Sequence, residues 1–260
     1  MNTLKVEKFI YSASTIAEAN ENGGCKCFDI SKRNPTTLKS PKHDTSMYTS
    51  RGIKKATEDD PIRTIEHINA AKEYYLNNGK TEFLKYRNHM IFVLGVTTGL
   101  RGGDLLNLHV EDVLNADGTI RKYIRTIESK TGKTNTPMIN DVAADAIYMY
   151  LSNLPYINSK EYLIRSERSN GSGQLNPSQL YRILHKLNTD LGFEEHVGAH
   201  SMRKTFAYWN LKMHPDDSNA LATIQYMMNH ESSQTTLRYC GISREDKDKF
   251  YTSIADIFKK

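Results

Sequence analysis

The sequence predicts a mostly α-helical fold of the α+β class, with one small antiparallel β-sheet. Three observations predict it. Apolar residues recur at helical spacing from residue 60 onward, β-branched residues alternate with polar ones between Asp117 and Ile139, and capped helical runs resume after Asn140.

Taken in order, Asp60-Pro61 reads as a cap followed by a proline at the first helical position. Ile62, Ile65, Ile68 and Tyr75 then keep helical spacing until Asn78-Gly79 stops the run. Thr81-Glu82 restarts it. The stretch Met90 to Val96 is nearly all apolar, too continuous for an edge strand, and predicts a buried helix that ends at Gly99. A short helix from about Gly103 to Leu108 follows. Ile120, Ile124 and Ile127 lie among Thr, Tyr and Arg, and Ser129-Lys130-Thr131-Gly132-Lys133 is a turn. The segment therefore predicts a β-hairpin or a small three-stranded sheet, with Pro137 marking an edge. Further helices are predicted at Asp141 to Leu151, Asn176-Pro177 to Leu191, Ala199 to Lys212, Ser218 to Met228, Ser232 to Tyr239 and Arg244 to Phe258.

Residues 1–59 differ from the rest. From Glu18 to Asp60 the chain is polar, with turn signals at Asn34-Pro35 and Ser40-Pro41. It buries too little apolar surface to offset its ordering entropy. It reads as a weakly ordered arm with one short helix near Lys8 to Glu18, ahead of a domain spanning residues 60–260. The arm is no basic tail: residues 1–60 hold ten Lys and Arg against eight Asp and Glu.

The 260 residues carry a formal net charge of +5, with 38% hydrophobic and 25% charged side chains. These are globular values, and they exclude a fibrous chain. No run approaches the ~18 apolar residues of a spanning helix, so no membrane partner is expected. Three cysteines, Cys25, Cys27 and Cys240, cannot staple a chain of this length, and a reducing cytoplasm is the expected location. Cys25-Lys26-Cys27 lacks the spacing and the partner pair of a zinc site, so neither metal nor cofactor is expected.

Four stretches carry residues suited to chemistry, and each alone also admits a structural role. Thr98-Gly99-Leu100-Arg101-Gly102-Gly103-Asp104 places Arg101 between helices with Asp104 behind it. Lys130 stands at a hairpin tip, with Lys133 close by. His200 and Arg203, three apart on a helix, share a face and present two donors suited to a phosphate. His230 precedes Tyr239 by nine residues. A phenol, with a pKa of ~10, attacks poorly unless cations stabilise the phenolate or a base takes its proton. Together these residues form a kit for phosphoryl transfer in which arginines neutralise the non-bridging oxygens.

In order, spacing and flanking residues the set resembles the catalytic domain of the tyrosine recombinases, the phage-integrase and Xer-like family, over about residues 60 to 258. Thr-Gly-Leu-Arg101 followed by Asp104-Leu-Leu is similar to the first arginine box. Ser-Lys130-Thr-Gly is similar to the hairpin lysine, His200-Ser-Met-Arg203 to the His-x-x-Arg box, and Asn229-His230 through Tyr239 to the last box. Met227-Met228-Asn229 departs from the family's usual Leu-Gly before the histidine. Lys204 stands where many members have a second histidine.

The resemblance implies a site-specific DNA recombinase, an integrase associated with mobile elements, needing neither metal nor nucleotide. Tyr239 would form a 3′-phosphotyrosyl link. Arg101 and Arg203 would clamp the phosphate with help from His230. Lys130 would be the general acid, with Lys133 a competitor for that role. His200 would handle the tyrosine proton, and Asp104 would orient Arg101. Implied partners are double-stranded DNA with specific recombination sites, a homotetramer on that DNA, and an accessory or directionality protein. The implied location is cytoplasmic, on the nucleoid when acting. Residues 1–59 look too short for the family's helical core-binding domain. Two alternatives stay open: a catalytically impaired DNA-binding accessory protein, or a type IB topoisomerase-like enzyme. After Tyr239, the stripe Phe250, Ile254 and Phe258 must bury against this protomer or another.

Overall fold

The computed structural model describes residues 59–167, 173–241, 244–255 and 258. The predicted arm, apart from Asp59, lies outside the described residues, as do its short helix, the Cys25–Cys27 pair and the side chain of Phe250.

The first helix, α1 (Ile65–Asn77), starts later than Asp60-Pro61 predicts. Thr64 is its cap, accepting a hydrogen bond from the His67 backbone N–H. Asp60 is spent elsewhere: its N–H donates to His196 O, and its carboxylate accepts from His196 N–H. The chain there runs along the domain and buries Ile62 completely, while Ile65 stays 57% exposed.

Helix α2 (Glu82–Thr98) is capped by the Thr81 side chain and is the central element. Met90, Ile91, Phe92, Val93 and Leu94 are all buried in it, because α1, α5 and α7 pack around it. Its end is fixed by Gly99 at φ +64, a left-handed backbone that favours glycine. A Cβ added there would sit 2.6 Å from Phe206 Cδ1. Gly99→Ala is therefore expected to lower stability by about 2 kcal/mol or more, combining left-handed strain with overpacking. Urea unfolding read by circular dichroism checks this.

Two short helices follow, α3 (Gly102–Leu106) and α4 (Val110–Val113), where the sequence reading expects one. The predicted sheet is a hairpin. β1 (Thr126–Ile127) and β2 (Thr134–Asn135) pair antiparallel, Thr126 with Asn135 and Ile127 with Thr134. A bridge between Tyr123 and Met138 extends it.

The remaining helices begin close to their sequence signals. α5 (Asp141–Ser152) is capped by Asn140. α6 (Pro177–Leu191) has an Asn176/Gln179 capping box and ends at Gly192. α7 (Ser201–Met213), α8 (Ala220–Met227), α9 (Ser233–Cys240) and α10 (Arg244–Ala255) complete the order.

The main core joins α1 to α6 with Met202 of α7. A second cluster, Phe206, Ala207, Ile224, Met228 and Cys240, joins α7, α8 and α9, with Tyr239 packed against it. On α10, Ile254 is 59% exposed, and beyond it Phe258 is 85% exposed. Among the described residues no helix is long and apolar enough to cross a membrane.

Candidate active site

The site is assembled where the second cluster meets the ends of α2 and the hairpin. Arg101 occupies the N-cap position of α3 with extended backbone, and its side chain makes no capping bond. Its Nη1 lies 2.5 Å from Glu128 Oε2 and 3.9 Å from Asp104 Oδ2. The close ion pair is thus with Glu128, a residue the sequence reading did not single out. Asp104 uses Oδ1 to accept the Ser129 N–H at 2.8 Å, so it ties the hairpin to α3 as well as facing Arg101.

Arg203 is 1% exposed. Its Nη1 donates to Gly99 O at 2.5 Å and its Nη2 to Met228 O at 2.6 Å. One guanidinium therefore joins the end of α2 to the end of α8. Burial lowers its pKa to about 10, with the nearby Arg101 charge adding to the effect, and it stays cationic at neutral pH. Its Nε is buried without a hydrogen-bond partner among the described residues. The same group lies 5.8 Å from the centroid of the Tyr239 ring.

His230 completes the contact. Its Nε2 is 3.4 Å from Arg203 Nη2, and its ring centroid is 4.7 Å from that of Tyr239. Its Nδ1 is 3.1 Å from Thr236 Oγ1, whose hydroxyl is placed to donate to Ser232 O. That pairing gives Nδ1 the proton and leaves the Nε2 lone pair toward Arg203. Burial, then the charges of Arg203 and Arg101, push the imidazolium pKa down to about 4.

Before His230 stands Asn229 at φ +49, the left-handed region where the resemblance expects glycine. Asparagine is among the residues that tolerate this region, so the departure keeps the turn.

Among the described contacts, none joins His200 or Lys130 to this group. His200 starts α7, with its N–H bonded to Asp59 Oδ2 at 2.7 Å and its side chain 62% exposed. No described contact joins it to Tyr239. Lys130 is exposed at the hairpin turn. Lys133 instead lines an open cleft of about 460 Å³ with Ala222, Gln225, Tyr226, Asn229 and His230. The residues that sequence reasoning missed are Glu128, Thr236 and Asp59. Among the described residues no group of three or more His, Cys, Asp or Glu side chains is placed to hold a metal ion.

Chemically, the cluster offers two cations, a neutral imidazole that lines the cleft and a phenol packed near it, a set that suits attack on a phosphodiester. The sequence profile described as the phage integrase family matches residues 63–245. The chain is 34% identical over 185 residues to the probable integrase/recombinase YoeC of Bacillus subtilis (strain 168), covering 71% of this chain and 91% of that protein. It is 30% identical over 227 residues to tyrosine recombinase XerC of Rickettsia peacockii (strain Rustic), covering 86% of this chain. It spans 65% of that protein's length. Among solved structures, XerA recombinase aligns with a TM-score of 0.58 at 22% identity, over 75% of this chain and 66% of that one. The post-cleavage complex of XerH with a palindromic difH substrate aligns at 0.57 and 19% identity, over 78% and 54%.

Proposed function

Because the chain belongs to the phage integrase family, the tyrosine recombinases, we propose that it cuts and rejoins DNA at specific sites through a covalent phosphotyrosine. The observation that carries the reading is the meeting of Arg203, His230 and Tyr239, from three separate segments, beside Arg101. The solved complexes of XerH with difH and of a lambda integrase dimer with a core site support DNA as the substrate.

Tyr239 Oη attacks the scissile phosphorus. The new P–O bond to tyrosine forms as the P–O5′ bond breaks, leaving a 3′-phosphotyrosyl link. Arg101 and Arg203 stabilise charge on the non-bridging oxygens. The phenolic proton passes to a histidine. The resemblance assigns His200, while the ring contact belongs to His230. The leaving 5′-oxygen takes a proton from a hairpin lysine, Lys130 by the resemblance and Lys133 by position in the cleft. Attack by the 5′-hydroxyl of a partner strand reverses the step and completes strand exchange. A tetramer on paired sites, an accessory or directionality protein, action on a mobile element and work on the nucleoid belong to the same reading. The exposed Ile254 and Phe258 suit a neighbouring protomer. The domain division at residue 60 is part of it too.

Covalent trapping tests this. Nicked duplexes pooled from DNA flanking the gene let the short leaving strand escape, so the adduct cannot reverse. An adduct on a denaturing gel, formed by wild type in EDTA and absent with Tyr239→Phe, is expected. A native-gel shift without any adduct would overturn the reading in favour of a DNA-binding accessory protein. Adducts at single sites, with relaxation of plasmids carrying one site, would favour a topoisomerase.

A further inference from the structure

Glu128 lies outside the sequence motifs yet touches three of them. Its carboxylate is 1% exposed. Oε2 faces Arg101 Nη1 at 2.5 Å and accepts from the Thr131 hydroxyl at 2.6 Å. Oε1 accepts from Asn135 Nδ2 at 3.3 Å. The Asn229 side chain is close enough to add, after Thr131 and Arg101, to the lowering of the Glu128 pKa. The Glu128 backbone closes the hairpin as well: its N–H donates to Lys133 O at 2.9 Å, and its C=O accepts from Gly132 N–H at 2.8 Å. One buried carboxylate thus joins the arginine of α3, both strands of the lysine hairpin and the residue before His230. An ionised carboxylate is costly to bury, and this one is paired on every side.

Asn229 supplies an independent observation. It is the one non-glycine residue at positive φ among those described. Glycine would take this backbone without strain. Asparagine accepts a small cost there, and its amide acts on the Glu128 carboxylate, where glycine has no side chain to offer. Ile127 next to Glu128 gives a third. At the end of β1 the apolar side chain is 68% exposed and the carboxylate that follows it is buried, the reverse of what core packing requires.

We propose that Glu128 is a positioning residue. It registers the Lys130–Lys133 hairpin against Arg101 and, through Asn229, against the His230 loop, so that the proton donor and the phosphate clamp are set together. The catalytic consequence rests on the recombinase reading, whereas the coupling itself does not.

Two arms test it on the full chain. The first needs no DNA. Hydrogen exchange is followed by mass spectrometry in wild type, Asn229→Gly and Glu128→Gln. Asn229→Gly keeps the left-handed turn, so folding is preserved. Hairpin amides from Ser129 to Lys133 are expected to exchange at least about tenfold faster in both variants, the size of a lost hydrogen bond to a charged group. Amides of α5 should be unchanged. Unaltered hairpin exchange in Asn229→Gly would overturn the coupling.

The second arm measures cleavage of the trapped duplex with an ordinary or a 5′-bridging phosphorothiolate scissile linkage. A 5′-thiolate leaves without a proton. Glu128→Gln is expected to lose about 100-fold on the ordinary linkage, as for a misplaced catalytic group, and most of that loss should vanish on the sulfur linkage. An equal deficit on both linkages would show that Glu128 does not set the proton donor. If wild type cuts neither duplex, the recombinase reading fails while the exchange arm still decides the coupling.

Discussion

Arg203→Lys is expected to lower the rate of covalent adduct formation by about 10³-fold or more, the range for removing an arginine that stabilises a phosphoryl transition state. The geometry explains why lysine is no substitute. The guanidinium donates to Gly99 O and Met228 O with two nitrogens and faces His230 with one of them. A planar fork makes those bonds at once, whereas an ammonium is a single point with rotatable donors. The substitution also leaves a buried carbonyl unpaired, costing about 1–3 kcal/mol. The lysine keeps the positive charge and can still reach one of the two carbonyls, which limits the cost to the bond that is lost. Activity is therefore expected to fall far more than stability. A scissile methylphosphonate separates the two effects. It removes one non-bridging negative charge and should restore much of the cleavage by Arg203→Lys if the arginine neutralises that charge. A variant within tenfold of wild type on the natural linkage would remove Arg203 from the phosphate clamp.

The helices were legible because their punctuation is local. Asn140, Asn176 and Ser232 each accept a hydrogen bond from the third residue of the helix that follows, and Gly99 and Gly192 close helices at positive φ. Asp60-Pro61 misled because its carboxylate is committed to His196, more than a hundred residues away, which local chemistry does not show. The motif arginines, His230 and Tyr239 were legible from residue type and order. Glu128 was not, because its role depends on burial. Ile127 faces out and Glu128 faces in, which residue type alone does not show. A hairpin whose apolar and acidic faces are exchanged is the trace such a site leaves in sequence, and the neighbouring Lys130 drew the reading to the tip instead. For His200 and Lys130 the motif records residue type and spacing, and the contacts described for His200 are with Asp59. Asn229 read as a mild loop change, and its left-handed backbone gives it a definite reason to be asparagine.

His230→Ala is expected to lower cleavage by about 10²- to 10³-fold, as for loss of a donor or acceptor aimed at developing charge. The pH behaviour of this residue is the sharper prediction. In the fold its pKa is pushed down to about 4 by burial and by the Arg203 and Arg101 charges, against 6.5 for a free imidazole. Above about pH 6.5 the histidine is neutral in both folded and unfolded chains and makes no pH-dependent contribution. Between about 6.5 and 4 the unfolded chain takes up a proton that the folded chain refuses. The unfolded state then binds more protons, so stability must fall as pH falls through this window and level off below it. His230→Asn should flatten that slope, which denaturant melts at half-unit pH steps would reveal. The same shift bears on chemistry. At neutral pH the ring acts as a neutral group, with Nδ1–H held by Thr236 and the Nε2 lone pair directed at Arg203. Cleavage by wild type should therefore show no loss of activity from His230 ionisation between pH 8 and about 5. A His230 ring resonance titrating near 6.5 in the folded protein would contradict the clustering of Arg101 and Arg203 around it.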